Sequence, residues 1–188
     1  MGWQSDFRSD LQRYVDDGAT PARALLTQQG LWAILEYRLA RAARRAPLMA
    51  PVFMAWQKCV EAITGISISH GARIGPGLWI THFGGIVVHS SAVIGDDCHL
   101  CQGATIGRGE GSGGYGAPVI GNGVYVGPNA AVLGKITVGD GVRIGANSVV
   151  TEDVPAGSHA WPAPVVVTPT PEAPTLEAPE APIGPGGR

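Results

Sequence analysis

Charge is scarce in this chain of 188 residues: only 15% of its side chains are Asp, Glu, Lys or Arg, with a net charge of -2. Nucleic-acid binding leaves a basic footprint, and none shows in these totals, so that class of partner is set aside. Cysteine is scarce too. Cys59, Cys98 and Cys101 are too few for a disulfide scaffold and leave one thiol unpaired, which fits a reducing compartment. A membrane-spanning run is missing from the N-terminal region. Its uncharged stretch Ala46 to Gln57 is shorter than the ~20 residues of a spanning helix and holds Pro47 and Pro51. The start, MGWQSDFRSD, has no basic segment followed by an apolar one. No secretory signal is read there, and a cytoplasmic location is expected.

What the chain does have is a period of six. A branched aliphatic or leucine recurs at Ile68, Ile74 and Ile80, then at Val88, Ile94, Leu100 and Ile106. It resumes at Ile120, Val126, Val132, Val138, Ile144 and Val150. Gly follows seven of these thirteen points, and small or apolar residues such as Ala72, Ala92, Cys98, Ala104, Ala130, Val142 and Ser148 stand four positions on. A helix repeats near 3.6 and a half-buried strand at 2, so neither explains the pattern. A parallel β-helix of hexapeptides does, with each short strand forming one side of a coil.

The flanks differ. Residues 1–65 read as helical: a first helix capped by Asp6 or Ser9 and running to Tyr14, one or two amphipathic helices from Ala22 to Arg45, and a segment from Val52 to Ile63. The cluster Arg38, Arg41, Arg44 and Arg45 reads as a solvated helix face, with peripheral contact to anionic lipid as the alternative. The β-helix is assigned to 66–163. The remainder, 164–188, is rich in Pro, Ala and Glu and is expected to be disordered, because it buries too little to offset its ordering entropy.

Two slips interrupt the period. Eight residues separate Ile80 from Val88, and fourteen separate Ile106 from Ile120, where the loop Arg108 to Pro118 is counted as replacing one repeat. Loops leaving a rigid scaffold are where function tends to sit. Three hexapeptides make one coil, so residues three repeats apart stack about 4.8 Å apart. That count groups His82, Gln102, Asn122 and Asp140 in one column, and His70, Ser90, Arg108, Pro128 and Ala146 in another.

The segments His82-Phe-Gly-Gly-Ile-Val-Val88, Gly103-Ala-Thr-Ile-Gly107, the Ser112-Gly-Gly loop and Gly145-Ala-Asn-Ser-Val-Val150 together resemble the hexapeptide-repeat acyltransferases, in particular the serine acetyltransferase branch. The resemblance covers residues 66 to 163. It implies an all-β, left-handed parallel β-helix, a homotrimer, and acetyl-CoA as acyl donor in the groove between subunits. It implies His82 as general base, removing a proton from the acceptor hydroxyl, a task that suits imidazole. A backbone amide near Gly107 becomes a donor to the oxyanion. Expected cofactor contacts are Gly107, Ala130, Ala146, Lys135 and Arg143, and no metal is expected.

Departures from the family fall on the acceptor side. Its two aspartates near the histidine correspond to Ser67 and Thr81, and its loop carries Tyr115, Gly116 and Ala117 where Asp, Arg and His are usual. Ser67, Thr81, Gln102 and Tyr115 are therefore the candidates for acceptor binding and for orienting His82. The acceptor is expected to be a sugar or polysaccharide hydroxyl, or serine. The competing reading is a non-catalytic trimeric scaffold or CoA-binding protein. Three further patterns receive structural readings: Cys98-His-Leu-Cys101 as packing, Gly109-x-Gly111-x-x-Gly114 as a flexible loop with no helix after it, and His70, His89 and His99 as too dispersed for a metal.

Overall fold

Fourteen short strands wind into a three-sided parallel coil, and four helices close its N-terminal end; the computed structural model describes residues 2–43 and 47–162. Side A of the coil stacks β1 (Ile66–Ile68), β4 (Ile86–Val88), β7 (Thr105–Gly107), β10 (Ala131–Leu133) and β13 (Val149–Val150). Side B stacks β2 (Arg73–Ile74), β5 (Val93–Ile94), β8 (Val119–Ile120) and β11 (Thr137–Val138). Side C stacks β3 (Trp79–Ile80), β6 (His99–Leu100), β9 (Tyr125–Val126), β12 (Arg143–Ile144) and β14 (His159–Ala160). Every pairing is parallel, and the inward aliphatics stay in register from coil to coil: Ile68 with Val88, Ile80 with Leu100, Val126 with Ile144. All thirteen points of the repeat are buried, as are the small residues four positions on. The fold is the left-handed β-helix of about five turns, one more than the repeat count suggests, because β14 continues it past Val150.

The loop that breaks the repeat does not replace one. Residues 108–118 leave side A after β7 and rejoin the coil at β8 on side B, so the excursion is an insertion at a corner. This corrects the columns. Gln102 does not stack on His82: the turn bonds from Gly103 N–H to Gly84 O, Asn129 N–H to Gln102 O and Asn147 N–H to Pro128 O set Gln102 over Gly84, with Pro128 and Ala146 above. His82 belongs to the two-residue insertion just before that column. Arg108 stays above Ser90 and His70 on the A–B corner. Asn122 and Asp140 belong above Asp96 on the B–C corner. There each side-chain oxygen accepts from the amide one coil below, Asn122 Oδ1 from Asp96 N–H at 2.8 Å and Asp140 Oδ1 from Asn122 N–H at 2.6 Å.

A solenoid's first coil exposes unpaired backbone groups at its edge, and here the helices satisfy them. The helices are α1 (Trp3–Asp16), α2 (Pro21–Thr27), α3 (Gln29–Ala42) and α4 (Ala50–Thr64). Gly2 is the N-cap of helix α1, earlier than Asp6 or Ser9, and no side chain caps it. The Tyr14 hydroxyl donates to Ile80 O (2.9 Å) and accepts from Ile80 N–H (3.3 Å). Tyr37 and Arg41 donate to Ala72 O, and Gln57 donates to Ile68 O. Arg38 donates to Ile74 O and Gly75 O while its guanidinium grips Asp10 through two bonds of 2.9 Å. Gly30 lets α3 approach this closely, since a Cβ there would stand 2.6 Å from Ile80 O.

The two described arginines of the cluster, Arg38 and Arg41, are therefore no solvated face. Arg38 is 3% exposed and Arg41 turns onto the coil, whereas Arg44, Arg45 and the tail 164–188 lie outside the described residues. No described helix is long and apolar enough to cross a membrane.

Candidate functional site

The C–A corner carries His82. The side-C ladder loosens as it arrives there: Trp79 N–H reaches Cys98 O at 2.9 Å, but Thr81 N–H reaches Leu100 O only at 3.4 Å. Two extra residues are accommodated before Gly84 and Gly85, which hold φ of 95° and 69° and return the chain to side A, where Gly84 O accepts from Gly103 N–H at 2.9 Å. The insertion pushes His82 and Phe83 outward. Both are exposed, and the His82 ring makes no side-chain hydrogen bond among the described residues. In the next coil Gln102 stands over Gly84, and its buried Oε1 accepts no hydrogen bond among the described residues. Higher still the column narrows to Pro128 and the exposed Ala146.

The outer face of side C, next to this corner, is a ladder of rings. Trp79 stacks on His99 with centroids 4.1 Å apart, and His99 meets the edge of Tyr125 at 5.0 Å. Arg13 lies over Trp79, and Arg143 lies over Tyr125 at 4.6 Å. His99 Nε2 is hydrogen-bonded to Thr81 Oγ1 and lies 3.8 Å from Cys101 Sγ. Burial, reinforced by the positive charges of Arg13 and Arg143, pushes the His99 imidazole down to about 4, so it is neutral at neutral pH. At the top of the ladder Trp161 lies across Gly145, where a Cβ would meet its ring, and stays 63% exposed.

Ser67 and Thr81, the expected stand-ins for the acids, are both engaged. Ser67 donates to Glu61 Oε1 at 2.8 Å, and Glu61 also takes Lys58 Nζ at 2.6 Å. Burial raises the Glu61 carboxyl, but these hydrogen bonds and the charges of Lys58 and His70 outweigh it and hold it below its ordinary value. Sequence reasoning missed Glu61 because it sits on α4, outside the repeat. Its one sequence signal is Lys58 three residues earlier.

The remaining candidates lie elsewhere. Gly107 ends β7 at the A–B corner, against the Leu133 side chain, five residues of strand or roughly 16 Å along the coil from Gln102. Lys135 is at that corner too, under the loop: its N–H donates to Gly114 O, and its O accepts from Gly113 N–H. Ser112 N–H donates to Thr151 O, so the loop lies along its own coil. Tyr115 is 61% exposed at the loop's tip, with Arg108 stacked over it at 4.7 Å. Ala130 faces the interior, fully buried, with its N–H donating to Gly127 O and its O accepting from Thr105 N–H, so the structure does not bear out a cofactor contact there. One chain thus does not bring Gly107, Lys135 and Tyr115 to His82.

The sulfur and imidazole side chains of Cys98, Cys101, His70, His89 and His99 are engaged in packing and in local hydrogen bonds. Cys98 points inward, and burial pushes its thiol up to about 11. His70 pairs with Glu36 at 2.7 Å, His89 Nδ1 accepts from Ser91 N–H, and His99 is in the ladder. Among the described residues no three such side chains converge on a metal-sized site.

Residues 117–152 match the model of the bacterial transferase hexapeptide, six repeats. The chain is 44% identical over 136 residues to a serine acetyltransferase of Helicobacter pylori, covering 72% of this chain and 79% of that protein. The chain belongs to the serine acetyltransferase family. Against the one from Synechococcus elongatus the identity is 37%, over 81% of this chain and 62% of the relative. Among solved structures of the family, Neisseria gonorrhoeae serine acetyltransferase in complex with serine superposes with a TM-score of 0.74 at 31% identity, covering 92% of this chain and 68% of that one. Isoform 3 of Entamoeba histolytica, in complex with cysteine, gives 0.78 at 28% identity; the present chain spans 62% of its length. The family is one of O-acetyltransferases.

Proposed function

We propose that the chain transfers the acetyl group of acetyl-CoA to an alcohol, with His82 as general base. The observation that carries this is the C–A corner itself: an exposed imidazole without a side-chain partner among the described residues, displaced outward by a two-residue insertion, beside the column of Gly84, Gln102, Pro128 and Ala146. His82 removes the hydroxyl proton as the acceptor oxygen bonds to the thioester carbonyl carbon. The tetrahedral intermediate then expels the CoA sulfur, which receives that proton from the imidazolium.

From Gly84, two residues past His82, to Ala146 the column rises three coils, ~14 Å at 4.8 Å per step, a shelf on which a pantetheine arm can lie. Arg143 beside it suits the phosphates of CoA. Gln102, with its unpaired buried oxygen, is suited to accept an N–H or O–H of the acceptor.

Gly107, Lys135 and Tyr115 occupy the A–B corner, so a site that includes them needs that corner of a second copy laid against the first. This supports a homotrimer with acetyl-CoA between subunits, Gly107 contributing an oxyanion donor and Lys135 a phosphate contact from the neighbour. The orienting acid is absent from positions 67 and 81. Serine is the acceptor that the likeness favours. A sugar hydroxyl is the second reading, favoured by the Arg108–Tyr115 stack, a flat surface suited to a pyranose where the family places charged residues for an amino acid.

The test is thiol release from acetyl-CoA across serine, homoserine and glycan acceptors, with light scattering to give the mass. Acceptor-dependent release by a trimer is expected. No release and no thermal stabilisation by acetyl-CoA would leave a scaffold instead.

A further inference from the structure

We propose that His99 is a positioning residue for His82, acting through the hydroxyl of Thr81. This rests on the reading of His82 as the base, and it names the group that holds that base in place.

Thr81 is the last residue of the first side-C turn before the insertion. Its backbone hydrogen bond to Leu100 O is stretched to 3.4 Å, and the next backbone tie, Gly103 N–H to Gly84 O, comes three residues later. Between those points the His82 side chain has no hydrogen-bond partner of its own among the described residues. The bond from Thr81 Oγ1 to His99 Nε2 is therefore the clasp on the near side of the insertion.

His99 is built to serve as a fixed post. Its ring is held between Trp79 and Tyr125, and these in turn carry Arg13 and Arg143. The charged and titratable groups around it are Arg13, Arg143, Asp17, His82, Cys101 and Tyr125. Burial, with cations on both flanks, keeps it neutral, so one ring nitrogen keeps a lone pair and the other a proton, and Thr81 always finds a matching partner. A ring placed here only to fill the ladder would not need a nitrogen facing Thr81. Phenylalanine fills the same space.

The experiment compares Thr81→Val, His99→Phe and the double variant, all as the full chain. Both substitutions preserve shape and remove the same hydrogen bond. Each is expected to lower kcat about tenfold while KM for acetyl-CoA stays within about twofold, and the double variant is expected to lose no more than either single one. Hydrogen exchange of the segment 81–85 should accelerate in both variants, a readout independent of turnover.

Unchanged exchange in folded Thr81→Val overturns the clasp, whatever the activity. Wild-type kcat in that variant, or losses that add in the double variant, overturns the link to His82. Failure of the catalytic reading looks different: His82→Ala would retain the wild-type rate while the exchange result still stood.

Discussion

Replacing Arg38 by methionine tests how the helices and the coil are joined. Arg38 is 3% exposed and Asp10 fully buried; the pair shares two bonds of 2.9 Å, and Asp10 also accepts from Leu78 N–H at 2.8 Å. Arg38→Met strands a carboxylate in the interior and frees the carbonyls of Ile74 and Gly75. Breaking a buried pair in this way costs about 3–5 kcal/mol, a large share of the roughly 5–15 kcal/mol that holds a domain together.

Burial raises the Asp10 carboxyl above its ordinary value of 3.8, while Arg38 and the Leu78 and Gly77 amides pull it back; without Arg38 it climbs further. A raised carboxyl favours folding below its unfolded value and loses that contribution as pH rises through the folded one. The deficit of Arg38→Met should therefore be largest near neutral pH and shrink as pH falls toward 4.

Urea denaturation at fixed chain concentration reads both effects, and a midpoint lowered by about 1 M or more is expected at pH 7. Adding Asp10→Leu to Arg38→Met removes the stranded charge and should recover most of the loss. A single variant within about 1 kcal/mol of wild type, or a deficit that grows toward low pH, refutes the reasoning.

His82→Ala is expected to lower turnover by about a hundredfold or more with acetyl-CoA affinity nearly unchanged, because only a proton transfer is lost; calorimetric titration beside the rate assay checks both, and ordinary activity would remove His82 from the mechanism. His99, lowered to about 4 from 6.5, contributes stability that is present above 6.5 and lost as pH falls through about 4. Denaturation midpoints at pH 7 and pH 5 should consequently lie closer together in His99→Gln than in wild type, and equal spacing would contradict the burial argument.

Which residues face inward was legible in the sequence by itself, because a hexapeptide repeat writes burial into a period and the stacked coils enforce it. The thirteen aliphatics and the small residues between them are all in the core, and His82 was singled out by the slip that displaces it. The lateral neighbours were not legible. Counting the loop 108–118 as a repeat moved Asn122 and Asp140 into the column of Gln102 and Ala146 out of it, and counting straight through the first slip put His82 where Gly84 stands. A period records how many residues intervene, and not whether an excursion spans a side or bulges from a corner.

Arg38 read as a surface charge because its partner Asp10 lies 28 residues away on another helix, and Glu61 escaped notice because it reaches Ser67 from α4. Only the tertiary structure decided these pairings. Side-chain charge is local to the sequence, but compensation of a buried charge depends on whatever the fold lays against it, and here helices outside the repeat cover the coil's open end.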